Sequence, residues 1–324
     1  MTHFRLTFVW NLLSVAGLFV AVGLLHGQTS SWKIAGGFST DWEHLTIEQR
    51  QLAPGVFLLH GSGGNTVALT GADGTLLIDP AFAQVAPKLK LALSRLGAGP
   101  VRYVVSSHFH NDHTGGNGAF AQDGAIVVGQ ENCRKHMLVE QRSSFWGYTT
   151  PASPAADLPT LTYDRKLTLY LDGEQIDVFH DGPSHTDGDS VVYLHKANVV
   201  HMGDIYIHGL YPYIDLGNGG TIDGYFTVID HVLGMIDDRT GVVPGHGPLA
   251  TRADLQAYRD MLHVVRDRVA HEISEGATLE QVIASRPSGE YDAQWASDRV
   301  GPEAFAALLY QSLSGKRLEW HPVR

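Results

Sequence analysis

Residues 107–116 read Ser-His-Phe-His-Asn-Asp-His-Thr-Gly-Gly, which places His108, His110, Asp112 and His113 within six positions. Imidazole nitrogen and carboxylate oxygen are ligands that suit a divalent ion such as zinc. On an extended loop, histidines at i and i+2 point to the same side and can bind one ion. The adjacent Asp112–His113 pair faces another way and can serve a second. With 18 histidines in the chain, a polar surface loop is the competing reading. Three further groups downstream weigh against it. His185 lies in Gly-Pro-Ser-His-Thr-Asp-Gly-Asp at 182–189, Asp204 in His-Met-Gly-Asp at 201–204, and His246 in Val-Val-Pro-Gly-His-Gly at 242–247. A small residue beside each leaves backbone space for an ion.

The surrounding residues say what must hold these groups. The apolar, β-branched run 101–105 reads as a buried strand, and Gly115 and Gly116 permit a tight turn after the cluster. His185 precedes an apolar strand at 190–194, Asp204 follows one at 197–200, and His246 follows a short apolar run at 242–243. Each candidate ligand therefore sits in a loop at a strand end, where functional groups collect. Upstream, 56–59, 66–69 and 75–78 read as strands, with Ala72-Asp73-Gly74 as a hairpin turn and Asp79-Pro80 closing the third.

The ordered set H-x-H-x-D-H, H, D, H resembles the metallo-β-lactamase-fold hydrolase superfamily over roughly residues 53–250. The resemblance implies an α/β fold: an αββα sandwich of two mixed β-sheets flanked by helices, occupying 31–250, with a C-terminal helical extension at 251–324. It implies that His108, His110 and His185 bind one ion, that Asp112, His113 and His246 bind a second, and that Asp204 bridges them. Two zinc ions are expected, although iron and manganese accept the same ligands. Such paired ions lie about 3.5–4 Å apart, hold a water between them and lower its pKa to about 7. Asp112 would orient that water, and Asp79, ending an apolar strand as in the family, would hold the metal loop.

The bridging carboxylate is similar to the glyoxalase II and lactonase type, whereas familiar class B β-lactamases carry Cys or Ser there. Lactonases with this set place a tyrosine three positions after the aspartate; here Ile207 stands there and Tyr206 is one earlier. His110 argues against flavin-linked di-iron relatives, which replace an early histidine with Glu. The resemblance thus implies a dinuclear zinc hydrolase of an ester, lactone, thioester or amide bond of a small molecule. The alternatives are β-lactamase activity, an iron-dependent oxidoreductase similar to persulfide dioxygenases, and a noncatalytic binding protein on the same fold.

Composition narrows the partners. A formal charge of −11 and no long basic run argue against a nucleic-acid ligand, which needs clustered Lys and Arg. Cys133, the only cysteine, cannot form an intramolecular disulfide and reads as a helix-packing or plain surface thiol rather than a catalytic one. Residues 1–30 read as a signal peptide or membrane anchor: His3 and Arg5 precede an apolar run from 8 to 25, against the roughly 20 residues a membrane span needs. The protein is accordingly expected to be periplasmic or secreted, or anchored facing the periplasm, and to touch a membrane through that segment alone.

Residues 84–96, 131–140, 221–238, 252–273 and 302–313 carry helical periodicity, with Leu255, Tyr258, Leu262, Val265 and Val269 as one core face. The tail is expected to dock on the hydrolase domain and to support a homodimer. The polar, aromatic stretch 141–159 reads as a long loop covering the site, and Trp146, Tyr206, His208 and Tyr211 as substrate contacts, with Tyr213 within reach.

Overall fold

The computed structural model describes residues 41–316, apart from 144, 146 and the side chain of Tyr148. The chain divides into a short unit, Met1–Trp32, and a large one, Lys33–Arg324. Residues 1–30, read as a signal peptide or membrane anchor, and Trp146 lie outside the described residues.

The large unit is built on two mixed sheets. The first takes β1 (Glu48–Ala53), β2 (Val56–His60), β3 (Thr66–Gly71) and β4 (Gly74–Ile78) as an antiparallel meander, then β5 (Val101–Val105) and β6 (Ile126–Gln130) in parallel. β7 (Gln141–Ser143) and β8 (Tyr148–Thr150) form a separate antiparallel hairpin, and β9 (Leu161–Tyr163) returns beside β6. The second sheet runs β10 (Lys166–Leu171), β11 (Glu174–Phe179), β12 (Val191–Leu194), β13 (Val199–His201) and β14 (Gly241–Val243). Only its last pair is parallel.

Parallel neighbours require a crossover, and helices supply it. α1 (Ala86–Arg95) links β4 to β5, with Pro87 in its first turn, where a missing N–H costs nothing. α2 (Asn111–Thr114) and α3 (Asn117–Ala121) link β5 to β6, and α4 (Glu131–Met137) follows β6. Leu59, Ala68, Leu77, Val104 and Val127 pack with Leu89, Leu93 and Phe120 under the first helical layer. Their alternating neighbours Leu58, Leu76, Ile78, Val105 and Val128 are as deeply buried. That period of two puts them on the opposite face, where the second sheet packs.

The outer face of the second sheet is covered by α5 (Ile222–Met235), α6 (Arg252–Ser274), α7 (Leu279–Ser285), α8 (Asp292–Trp295) and α9 (Pro302–Ser314). Val200 and Val242 share one core cluster with Ile229, Leu262 and Phe305. The five α6 positions read as a core face are each fully buried, worth about 1.5–3 kcal/mol per side chain. Thr251 and Asp254 close a capping box at the start of α6. The layers run helix, sheet, sheet, helix, and the C-terminal helices add to the second helical layer.

The structure differs from the sequence reading in three places. β1 carries exposed polar residues and gave no apolar signal; pairing with β2 makes it a strand. The stretch 141–159 is not a loop without structure of its own, because β7 pairs with β8 and a 3-10 turn spans Ala155–Asp157. α4 stops at Met137, and exposed Leu138 and Val139 lead into that hairpin.

Candidate metal centre

All seven candidate ligands converge at one end of the sandwich. β5 ends at Val105, and a short loop carries His108 and His110 before Asn111 starts a helical turn bearing Asp112 and His113. That turn separates the two pairs. His108 Nε2 and His185 Nε2 each lie 3.0 Å from His110 Nδ1. His113 Nε2 and His246 Nε2 are 3.2 Å apart, and His246 Nε2 is 3.2 Å from Asp112 Oδ2. Ligands on a tetrahedral ion with bonds of about 2.0–2.1 Å stand about 3.3 Å apart, so both triads have the right span.

Asp204 joins the triads. Its Oδ1 is 3.3 Å from both His113 Nε2 and His246 Nε2, while its Oδ2 is 3.7 Å from His185 Nε2 and 4.0 Å from His108 Nε2. Buried Oδ1 has no hydrogen-bond donor among the described residues. An orphaned anionic oxygen flanked by ligand nitrogens is the arrangement a cation would satisfy. Gly245 makes room for it, since a Cβ there would overlap Asp204 Oδ1 and the Gly203 backbone. The residues therefore fit a pair of divalent ions.

The charge balance agrees. Burial pulls His113 and His246 down, but Asp204 and Asp112 outweigh it and hold both imidazoles above the usual range. Burial pushes Asp112 up, and His113 and His246 overcome it to keep the carboxyl anionic. His108 goes the other way: burial first, then His113 and His110, hold it well below the usual value. The anionic carboxylates are balanced by protonated imidazoles, and metal binding would displace those protons.

The supporting contacts fix which nitrogen each histidine presents. Asp79 accepts from Ser107 N–H (2.7 Å), Ser107 Oγ–H (2.6 Å) and His113 Nδ1 (2.7 Å), so it both holds the loop and aims His113 Nε2 inward. Ser107 Oγ also lies 3.0 Å from His108 Nδ1. His185 Nδ1 donates to the Tyr213 carbonyl (2.8 Å), and His110 Nε2 to Asp215 Oδ2 (3.0 Å). Asp189 pins the His185 turn by accepting from Thr186 N–H (2.8 Å), Thr186 Oγ–H (2.6 Å) and Ser184 Oγ–H (2.7 Å). Asn65 clamps the His246 loop through Pro244 O and Gly247 O, both at 2.9 Å.

Sequence reasoning assigned no role to Asp215, Asp189 or Asn65. Asp189 closes the 182–189 motif and is a short carboxylate after Ser and Thr, a recognisable turn signal. Nothing local marks Asp215 or Asn65.

A cavity of about 620 Å³ opens over the ligands. His110, Asp112, Asp204 and His246 form its floor, and Phe82, Phe109, Met137, Val139 and Leu210 give it an apolar wall. Gln141, Ser143 and Thr150 of the hairpin close one side, and Asp298, Arg299 and Val300, between α8 and α9, close another. Tyr211 lines the cavity with its ring, but its hydroxyl donates to Asp292 Oδ1 (2.9 Å) and braces the C-terminal segment. Tyr213 lines it as well, its hydroxyl 3.3 Å from Ser143 Oγ.

Two expected substrate contacts are corrected. Tyr206 does not line the cavity; it is fully buried against Tyr258, with ring centroids 5.0 Å apart. His208 is turned to Pro248 O at 3.0 Å, and its backbone N–H instead steadies the His246 carbonyl (3.0 Å). Alternation along the chain sends these two side chains away from the floor. Cys133 is buried, and burial pushes its thiol up, so it is a packing residue.

A two-sheet sandwich with a histidine–aspartate centre at the strand ends defines a class of metal-binding hydrolases. The metallo-beta-lactamase superfamily model matches residues 60–246, more than half of the chain, and the chain belongs to that superfamily. Among curated relatives, the 2,4-dinitroanisole O-demethylase subunit alpha of Nocardioides sp. (strain JS1661) is 26% identical over 148 residues, 44% of this chain and 42% of that protein. A metallo-beta-lactamase type 2 of Pseudomonas aeruginosa is 28% identical over 162 residues, 48% of this chain and 56% of that one. The matches thus span about half the length of these relatives.

Among solved structures, the inverting sec-alkylsulfatase Pisa1 of a Pseudomonas species superposes with a TM-score of 0.62 at 20% identity, over 82% of this chain and 50% of that one. A metallo-beta-lactamase from Pontibacter korlensis gives 0.55 at 20% identity, over 67% and 99%. Both likenesses concern the fold.

Proposed function

We propose that this protein is a dinuclear, zinc-dependent hydrolase that cleaves an ester, lactone, thioester or amide bond of a small molecule. The observation that carries the reading is the placement of Asp204: one carboxylate oxygen faces each ligand triad. When bound, the ions supply a water of pKa about 7 and polarise the oxygen of the electrophile.

The rest falls to the chain. Asp112 lines the cavity as a carboxylate held anionic, so it accepts a hydrogen bond from the attacking water and orients it. Phe109, Met137 and Leu210 seat the apolar part of the substrate and exclude bulk water from the floor. The Tyr213 hydroxyl is placed to hydrogen-bond a polar group at the cavity side.

The test uses the full chain, stripped with a chelator and reloaded with zinc, iron or manganese. The panel is esters, lactones, thioesters and cephalosporins, with an aryl methyl ether and a secondary alkyl sulfate because of the relatives' names. Two equivalents of zinc with zinc-restored hydrolysis of an acyl substrate support the reading. Iron with oxygen consumption favours the persulfide dioxygenase-like alternative, and preferential cephalosporin cleavage the β-lactamase one. An inert chain that takes up no metal overturns it.

A further inference from the structure

The two triads are steadied by different parts of the chain. Asp79, at the end of β4, reaches the second triad through His113 Nδ1. The first triad is gripped by residues 213–215, which reach both of its outer histidines at once. The Tyr213 carbonyl accepts from His185 Nδ1 (2.8 Å), the Asp215 N–H donates to the His185 carbonyl (2.9 Å), and Asp215 Oδ2 accepts from His110 Nε2 (3.0 Å). Asp215 is itself locked: Asn218 Nδ2 donates to Oδ2 (2.8 Å), and the Gly220 N–H donates to its carbonyl (2.9 Å). The Asp215 side chain is 5% exposed, so its negative charge has little water to stabilise it and leans on His110. His110 differs from the other two histidines of its triad, since it offers Nδ1 to the centre and Nε2 to Asp215.

We propose that Asp215 is the positioning residue of the first metal position: it fixes the tautomer and tilt of His110 and the height of His185, and so sets the affinity of that position alone. The proposal rests on the dinuclear reading above. Its physical content is that a carboxylate on the far nitrogen raises the basicity of the ligating one and removes the freedom of the ring to turn away. Asp79 touches His113 directly and reaches His108 through Ser107, whereas Asp215 touches the first triad alone, so a change at Asp215 reads out on that position.

The experiment is metal binding, read without turnover. Full-length chain is titrated with zinc against a chromophoric chelator, and with cobalt while the visible absorption of the bound ion is followed. His185→Ala and His246→Ala identify which equivalent belongs to which triad. Asp215→Ala is expected to weaken the first-triad equivalent by about 10- to 100-fold and leave the other unchanged. Asp215→Asn keeps an acceptor oxygen and is expected to recover most of the loss. In a His110→Ala background, which removes the ring that Asp215 Oδ2 holds, Asp215→Ala should add nothing further. Asn218→Ala, which only loosens the carboxylate, should give a smaller loss in the same equivalent and carries the test if Asp215→Ala does not fold. Wild-type affinity in both Asp215→Ala and Asn218→Ala overturns the proposal, as does equal weakening of both equivalents. A wild-type chain that binds fewer than two ions overturns the dinuclear reading instead, and the two failures are told apart by that count.

Discussion

At the residue scale, the centre shows why aspartate serves three distinct purposes within one site. Asp204 presents both oxygens to ligand nitrogens, Asp79 turns away from the cavity to hold His113, and Asp112 faces the cavity. Asp112 touches His246 Nε2 and lines the cavity, and at 14% its side chain is more exposed than that of Asp204 (9%) or Asp79. Asp112→Asn keeps the shape and removes the charge, so it is expected to lower kcat by about 10²- to 10⁴-fold with little change in the Tm of the metal-free chain. Steady-state kinetics beside a thermal melt check this, and full retained activity would refute the assigned role. Gly245 carries the complementary lesson. The sequence suggested that small neighbours make space for an ion, whereas the space at Gly245 is filled by the Asp204 carboxylate.

At the element scale, the hairpin of β7 and β8 forms one side of the cavity. Gln141, Ser143 and Thr150 reach the cavity, and Phe145 anchors the turn against Tyr213, with ring centroids 5.2 Å apart. Replacing residues 145–154 by a short linker should raise KM by about tenfold or more, roughly 1.4 kcal/mol of lost binding. A substrate titration reads this, and unchanged KM would reduce the hairpin to a surface feature.

β11 offers a prediction independent of the site. Asp177 is buried, which pushes its carboxyl up, but donors on Thr168 (2.7 Å), His195 (2.9 Å) and Lys166 (3.0 Å) outweigh that and bring it down to about 2. An unfolded aspartate titrates near 3.9. A depressed native value stabilises the fold above the unfolded pKa and loses that stabilisation as pH falls from about 4 through 2. With Lys166 largely in solvent, the contribution is on the order of 1–2 kcal/mol. Asp177→Asn should therefore be less stable than wild type at pH 7 and indistinguishable from it below pH 2, as read by urea melts across pH. A constant difference at every pH would refute the assignment.

For the whole molecule, a metal-loaded centre would be a staple as well as a reaction site. Its ligands come from loops that follow β5 and β11, β13 and β14, so an ion pair ties the first sheet to the second. Ligand that binds only the folded chain stabilises it by about 4 kcal/mol at a thousandfold excess over Kd. Chelation should thus lower Tm by several degrees, zinc should restore it, and a melt that ignores both would argue against tight binding. The C-terminal helices belong to this picture. They share the core of the second sheet, and the segment at 298–300 forms part of the cavity, so the tail shapes the substrate space.

What the chain declared by itself was local. The candidate ligand types, their order, their places at strand ends and the α6 core face follow from periodicity and short-range motifs, because metal-ligand spacing and amphipathic repeats are written in neighbouring residues, while the role of Asp79 came from the family resemblance. What tertiary structure decided was long-range. Asp215 meets His110 across 105 positions and Asn65 meets Pro244 across 179, and no local pattern encodes such partners. Tyr206 and His208 sat beside a ligand in sequence, yet their side chains leave the cavity, since adjacency along the chain fixes distance and not direction. The same holds for β1, a polar strand that exists because β2 offers it a hydrogen-bonding edge.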